Sequence, residues 1–235
     1  MKKVTLNVYT HDQRIIDYQP LEIRNKPPAW WHKLKKTFNK MDFRSGIRVP
    51  TPTVRACPGI VDFVRKPIVF RMWTDAIFKV NPDGTVTTAT PLHGGGELEI
   101  GVHDDKQYGE LYPNHTVCKL HNPWLFKGSD STDFLCTDVH YDTEFRKHGM
   151  FICPGIVNFN DQHAANIFIA FPTKKESYEV TLKYDQPLMA MFPMTDKKID
   201  IKMNKIEKYE RATIINAFPA TFLGRYYTRK HARRK

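Results

Sequence analysis

Several common chemistries advertise themselves by short motifs, and this chain lacks them. No GxGxxG or GxxxxGK[ST] run is present, and Gly94-Gly95-Gly96 stands without the lysine and hydroxyl that would complete a phosphate cradle. We read that triplet as a flexible hairpin tip. There is no GxSxG elbow to seat a nucleophilic serine. The four cysteines, Cys57, Cys118, Cys136 and Cys153, contain no CxxC pair, so a structural zinc would need ligands from distant segments. They read as reduced core thiols of a protein made in the cytoplasm, with no Cys57–Cys153 disulfide expected. Asp130, Asp133 and Asp138 lack the spacing and glycine of an EF-hand loop, which predicts a solvated acidic loop. Long apolar runs are missing too. After Met1-Lys2-Lys3 the apolar residues alternate with polar ones until His11-Asp12-Gln13-Arg14, so the start predicts a strand, without signal peptide or membrane span.

What the chain does have is positive charge, a formal net +11 over 235 residues. That charge is local. Residues 24–48 hold eight Lys/Arg against Asp42 alone, residues 211–235 hold seven with no acid, and the remainder sums to −3. A nearly neutral body with two basic stretches is therefore expected.

The clearest internal signal is a heptapeptide. Cys57-Pro-Gly-Ile-Val-Asp-Phe63 returns as Cys153-Pro-Gly-Ile-Val-Asn-Phe159, 96 positions later. Each copy opens on Pro-Gly and runs into Ile-Val-x-Phe, which predicts two comparable turn-to-strand corners. Around them lie short β-type runs: 3–10, 15–23, Ile68 to Trp73, Ala76 to Val80, Thr85 to Thr90, Glu97 to Val102, Val117 to Leu120, Trp124 to Phe126, Ile167 to Pro172, Tyr178 to Tyr184 and Pro187 to Pro193. Asn81-Pro82-Asp83-Gly84 is a strong hairpin turn. Two segments read as helical. In Ala29 to Phe38, Trp30, Trp31, Leu34 and Phe38 fall at helical spacing with lysines opposite, and Ile199 to Ala217 is a second candidate. Burial is the expected role of the Trp-Trp pair, with stacking on single-stranded nucleic acid or seating on a membrane surface as alternatives. The fold class that follows is mainly β, an antiparallel sandwich or jelly-roll-like single domain with one or two short helices. It spans residues 1–224, with related halves cornered at 57–63 and 153–159, and residues 225–235 form a basic arm.

Read together, the motifs carry a resemblance. Pro-x-Trp-Trp-x-Lys-Leu near residue 30, Thr53 to Phe63, Phe70-Arg71-Met72-Trp73-Thr74-Asp75, His121-Asn122-Pro123-Trp124, Pro154 to Val157 and Pro187 to Pro193 resemble an uncharacterised family of tailed-bacteriophage proteins over roughly residues 27–195. The resemblance implies a compact β-rich domain and supplies no catalytic residues. After Trp124 the chain departs from it, with Lys127-Gly128-Ser129-Asp130 where Thr-Pro-Pro-Gly is expected.

Two constellations compete for a function. His103-x-Asp105 with His163 has the composition of a two-histidine, one-carboxylate iron site, and Lys174 is placed to hold an acidic cosubstrate. Ten histidines and 25 acids make such a pattern easy to meet by chance, and His140-x-Asp142 is another. The terminal arm is the stronger candidate: Arg225, Tyr226, Tyr227, Arg229, Lys230, Arg233, Arg234 and Lys235 interleave cations with rings. Such an arm either neutralises phosphates and stacks on bases or lies in a neighbouring subunit's acidic groove. The expectation is a virion-associated structural protein of a tailed phage, a head, neck or tail component made in the host cytoplasm. It would dock on other phage structural proteins in multiple copies, without catalytic residues, metal, cofactor or membrane. A non-haem Fe(II) oxygenase-like enzyme and a phage protein binding nucleic acid or a host factor are the alternatives.

Overall fold

The computed structural model describes residues 3–18, 21, 27–89, 98–102, 108–141, 146–160 and 163–210. The arm residues 225–235, together with His103, Asp105 and Asp142, lie outside them.

The chain is mainly β, as expected. Strand β1 (Lys3–Thr10) alternates in burial, with Val4, Leu6, Val8 and Thr10 turned inward, as a period-two pattern on a half-buried sheet requires. Helix α1 (Gln13–Tyr18) follows where an extended piece was expected, because the Asp12 carboxylate accepts the Arg14 N–H at 3.0 Å and buries Ile15 behind the first turn. Helix α2 (Ala29–Lys33) stops five residues short of Phe38. Leu34 turns extended there, and β2 (Thr37–Met41) pairs antiparallel with β3 (Arg48–Pro52). The first heptapeptide then departs from its predicted corner. Pro58 starts helix α3 (Pro58–Arg65), the first-turn position that tolerates proline because its missing N–H would be unpaired anyway.

From there the chain is strands: β4 (Ile68–Arg71), β5 (Ala76–Val80), β6 (Val86–Ala89), β7 (Ile100–Val102), β8 (His115–Leu120), β9 (Leu125–Gly128) and β10 (Asp133–Asp138). They continue as β11 (Phe151–Ile152), β12 (Gly155–Asn158), β13 (Ile167–Pro172), β14 (Tyr178–Leu182), β15 (Pro187–Pro193) and β16 (Lys198–Lys205). The Asn81–Gly84 turn joins β5 to β6, and Gly84 takes φ +82°, which favours glycine. Of the helix candidate Ile199 to Ala217, residues 199–205 belong instead to β16, which pairs parallel with β1 and turns Ile199 into the core; residues 208–210 are helical, and 211–217 lie outside the described residues.

The strands assemble as β16-β1-β9, β12-β10-β15-β4, β11-β13-β8-β7 and β14-β5-β6, with β2-β3 apart. One continuous apolar cluster draws from all four larger sheets, for example Leu6, Met189, Ile169 and Phe78. Phe126 and Phe159 stack at 4.6 Å in its middle, with Phe134 5.2 Å from Phe159. Asn122, buried, accepts the Trp124 N–H at 2.8 Å and donates to the Ala165 carbonyl at 3.2 Å, so the Asn-Pro-Trp motif serves to fold a buried corner. No described helix is long and apolar enough to cross a membrane.

Candidate interaction surface

Of the oxygenase set only His163 is described. Its Nδ1 donates to the Phe126 carbonyl at 3.1 Å while the Phe126 N–H donates to the His163 carbonyl at 2.7 Å, so the ring is held against β9 by bonds in both directions. It borders an apolar pocket of about 530 Å³ beside Tyr9, Leu125, Ile206 and Tyr209. Lys174 sits over the Tyr178 ring, 4.1 Å from its centroid. Among the described residues no three His, Cys, Asp or Glu side chains gather as metal ligands.

The three acids do not form a loop cluster. Asp130 pairs with the Lys197 ammonium at 2.8 Å, Asp133 accepts the Asn158 amide at 2.8 Å, and Asp138 is buried at the end of β10. Asp138 accepts the Ile152 N–H with one oxygen and Arg146 at 3.1 Å with the other. Arg146 also donates to His140 Nδ1, and a guanidinium has no acceptor, so that nitrogen carries no proton and the Nε2–H faces Thr137 Oγ1 at 3.2 Å. Burial, then Arg146, holds the His140 pKa below the usual histidine value. The group ties β10 to β11 and has no open nucleophile. Cys153 nearby is buried, with its thiol pushed up to about 11 by burial.

Above this group sits a ring platform. Phe63 of α3 packs 4.5 Å from Phe192 and 5.5 Å from His140, and Trp30 Nε1 of α2 donates to the Tyr141 carbonyl at 2.8 Å. Trp31 is buried beside it. The expected burial holds for Trp31, while Trp30 is half-buried with its indole N–H bonded to the body. The platform fixes the root of the β2–β3 hairpin: Arg55 donates to the Leu34 carbonyl at 2.8 Å, and Thr53 closes on Lys35 and Lys36 through its hydroxyl (2.6 Å) and N–H (2.9 Å).

Beyond that root the hairpin leaves the body. Every residue of β2, and all of β3 except Thr51, is exposed. Its tip is ordered by one carboxylate. Asp42 accepts Ser45 Oγ at 2.6 Å and the Arg44 N–H at 3.2 Å, and the Ser45 hydroxyl, ahead of the Arg44 N–H, holds its pKa below the ordinary carboxylate value. Gly46, at φ +68°, donates to the Asp42 carbonyl at 2.8 Å. The turn so fixed leaves Phe43 91% exposed and Ile47 64% exposed, among Lys35, Lys36, Lys40, Arg44 and Arg48. Exposed apolar side chains on an ordered, charged arm mark a contact surface. Sequence reasoning located the charge but missed the hairpin; the available signals were Asp42, Ser45 and Gly46 between two extended runs, and prolines at alternate positions 50 and 52.

The structure therefore defines a β-rich body carrying a basic, apolar-tipped hairpin. No family model, curated protein or solved structure matches the chain.

Proposed function

We propose that this protein is a docking component of an assembly, a virion-associated structural protein of a tailed bacteriophage that acts through protein–protein contacts. The observation that carries the docking reading is the hairpin: its root is bonded to the body at several points, while among the described residues its strands are exposed apart from Thr51 and pair only with each other. A ribbon ordered without support from its own core gains most when a partner covers it. The phage setting rests on the sequence resemblance, and the basic arm, residues 225–235, would add a second contact to neighbouring subunits or to nucleic acid.

Mass spectrometry of purified virions tests this. The chain is expected among the particle proteins, and its absence there overturns the virion reading. Deleting residues 225–235 should leave the melting temperature nearly unchanged and weaken incorporation, because exposed ion pairs contribute only about 0–1 kcal/mol each to folding. The oxygenase reading has a separate test: purified protein titrated with Fe(II) would bind one equivalent, and His163→Ala would abolish that binding.

A further inference from the structure

We infer that β2 is the dimerisation edge of this protein: two copies pair their β2 strands antiparallel about Asn39, making one four-stranded ribbon β3-β2-β2-β3. This rests on the docking reading and names the partner as a second copy.

The hydrogen-bond phase of the hairpin selects the edge. Asp42 N–H donates to Ile47 O and Thr53 N–H to Lys36 O, each at 2.9 Å. Bonded and non-bonded pairs alternate in an antiparallel ladder, so Phe38/Thr51 and Lys40/Val49 are bonded pairs, and Thr37/Pro52, Asn39/Pro50 and Met41/Arg48 are not. The backbone groups of the second set point away from the hairpin. On β3 two of those three residues are prolines without an N–H, which closes that edge to another strand. On β2 the N–H and C=O groups of Thr37, Asn39 and Met41 all face outward, and no described strand pairs with them.

Charge then selects the register. With Asn39 opposite Asn39, Thr37 meets Met41 and about six interstrand bonds form. On the face shared by the even-numbered residues, Lys36 falls opposite Asp42 and Phe38 opposite Lys40, each pair occurring twice by symmetry. These are an ion pair and a cation-on-ring contact. Moving the two-fold axis to Phe38 sets Lys36 against Lys40. Moving it to Lys40 sets Lys40 against itself and Lys36 against Arg44. A register centred on Met41 also sets Lys40 against Asp42, but it puts Asn39 and Thr37 opposite the Phe43–Ser45 turn. The Asn39 register places opposite charges together while pairing all three outward-facing β2 residues, and as a two-fold pairing it closes as a dimer and leaves the proline edges outside.

The two hairpins are each net basic, so their bulk charges repel and salt should strengthen the pairing by screening. A polyanion on the same hairpin would show the opposite sign, binding that weakens with salt. The test is sedimentation of the full chain from about 50 mM to about 500 mM salt. We expect a dimer whose fraction rises with salt. Asn39→Pro should weaken it at least tenfold with the melting temperature unchanged, because that N–H makes no bond within the hairpin; Lys36→Glu should weaken it without touching the backbone. In a Cys57→Ser background, Asn39→Cys should oxidise to a disulfide-linked dimer, since bonded antiparallel pairs sit about 5.5 Å apart at Cα. Thr37→Cys should do so only when mixed with Met41→Cys. A monomer at every salt, a dimer indifferent to Asn39→Pro, or heparin binding without self-association overturns the inference. A monomer that is nevertheless present in virions overturns the pairing alone, and a dimer absent from virions overturns only the virion reading.

Discussion

The same five residues, Cys-Pro-Gly-Ile-Val, enter a helix at Cys57 and a strand at Cys153. Each copy is followed by Asp or Asn and then Phe. Local propensity is the same in both, so tertiary partners decide. In the second copy β11 pairs with β13 and β12 pairs with β10, so the chain crosses from one sheet to another at Cys153-Pro154 and both sides are held by ladder bonds. Among the described residues no strand lies paired alongside the first copy. Its proline serves as a helix start, Asp62 bonds Lys66 one turn on at 3.0 Å, and Val64 and Phe63 face the body. A heptapeptide repeat is therefore compatible with either structure, and what it lacks is the information about which strand lies alongside.

The two cysteines give the largest contrast. Cys57 is exposed, whereas Cys153 is buried with its thiol raised to about 11. Thiolate is the reactive form, so a thiol reagent on the native protein should modify Cys57 at least about a hundredfold faster than Cys153. Cys118 and Cys136, buried and raised to about 12, should stay unreactive with it. Peptide mapping after brief labelling checks this. Comparable labelling of both would mean that the second corner opens as readily as the helix start.

The two phenylalanines come next. Phe159 is fully buried between Phe126 and Phe134, while Phe63 is half-buried on the platform. Phe159→Ala should cost about 3–5 kcal/mol, and Phe63→Ala less than half as much, read from urea midpoints. Equal costs would place the two copies at equal depth in the fold.

Legibility followed the same line. The runs Ile167 to Pro172 and Pro187 to Pro193 were readable to within a residue, because an apolar stretch between turn residues has few places to go but a buried strand. Segment 29–38 was not, since Trp30, Trp31, Leu34 and Phe38 make a helical stripe that only the pairing of Phe38 with Thr51 breaks. In 198–205 a period of two was present in Ile199, Ile201 and Met203, and the strand forms because β1 offers a parallel edge that no local pattern discloses. The hairpin was visible as charge, but its exposure depends on which described residues fail to pack against it.

The one sequence difference between the copies is Asp62 against Asn158, and it has a structural reason on one side only. The Asn158 amide donates to the Asp133 carboxylate at 2.8 Å and to the Ser131 carbonyl at 3.0 Å. A carboxylate there would oppose Asp133 and lose both bonds, so Asn158→Asp should cost about 1–3 kcal/mol. Asp62→Asn removes only an exposed pair with Lys66, worth about 0.5 kcal/mol or less. Thermal unfolding of the two variants compares them, and the expected asymmetry fails if Asp62→Asn is the costlier.

The smallest effect concerns pH and is read at the first copy. Phe63 leans on His140, whose unprotonated Nδ1 accepts from Arg146. Protonating that ring breaks the bond and sets two cations together, which is why burial and Arg146 depress its pKa in the folded chain. In the unfolded chain histidine titrates near about 6.5. A depressed folded value means that the unfolded state binds more protons between the two pKa values. Stability from this group is therefore complete above about 6.5 and is lost as pH falls from there through the lower folded value. Acid should loosen α3 while β12, held by β10, keeps its bonds. Hydrogen exchange at pH 5 compared with pH 7.5 should show faster exchange over Val61 to Lys66, corrected for intrinsic rates, with Ile156 to Asn158 unchanged. His140→Gln, which cannot take a proton, should remove the difference; its persistence in that variant would assign the acid sensitivity to another group.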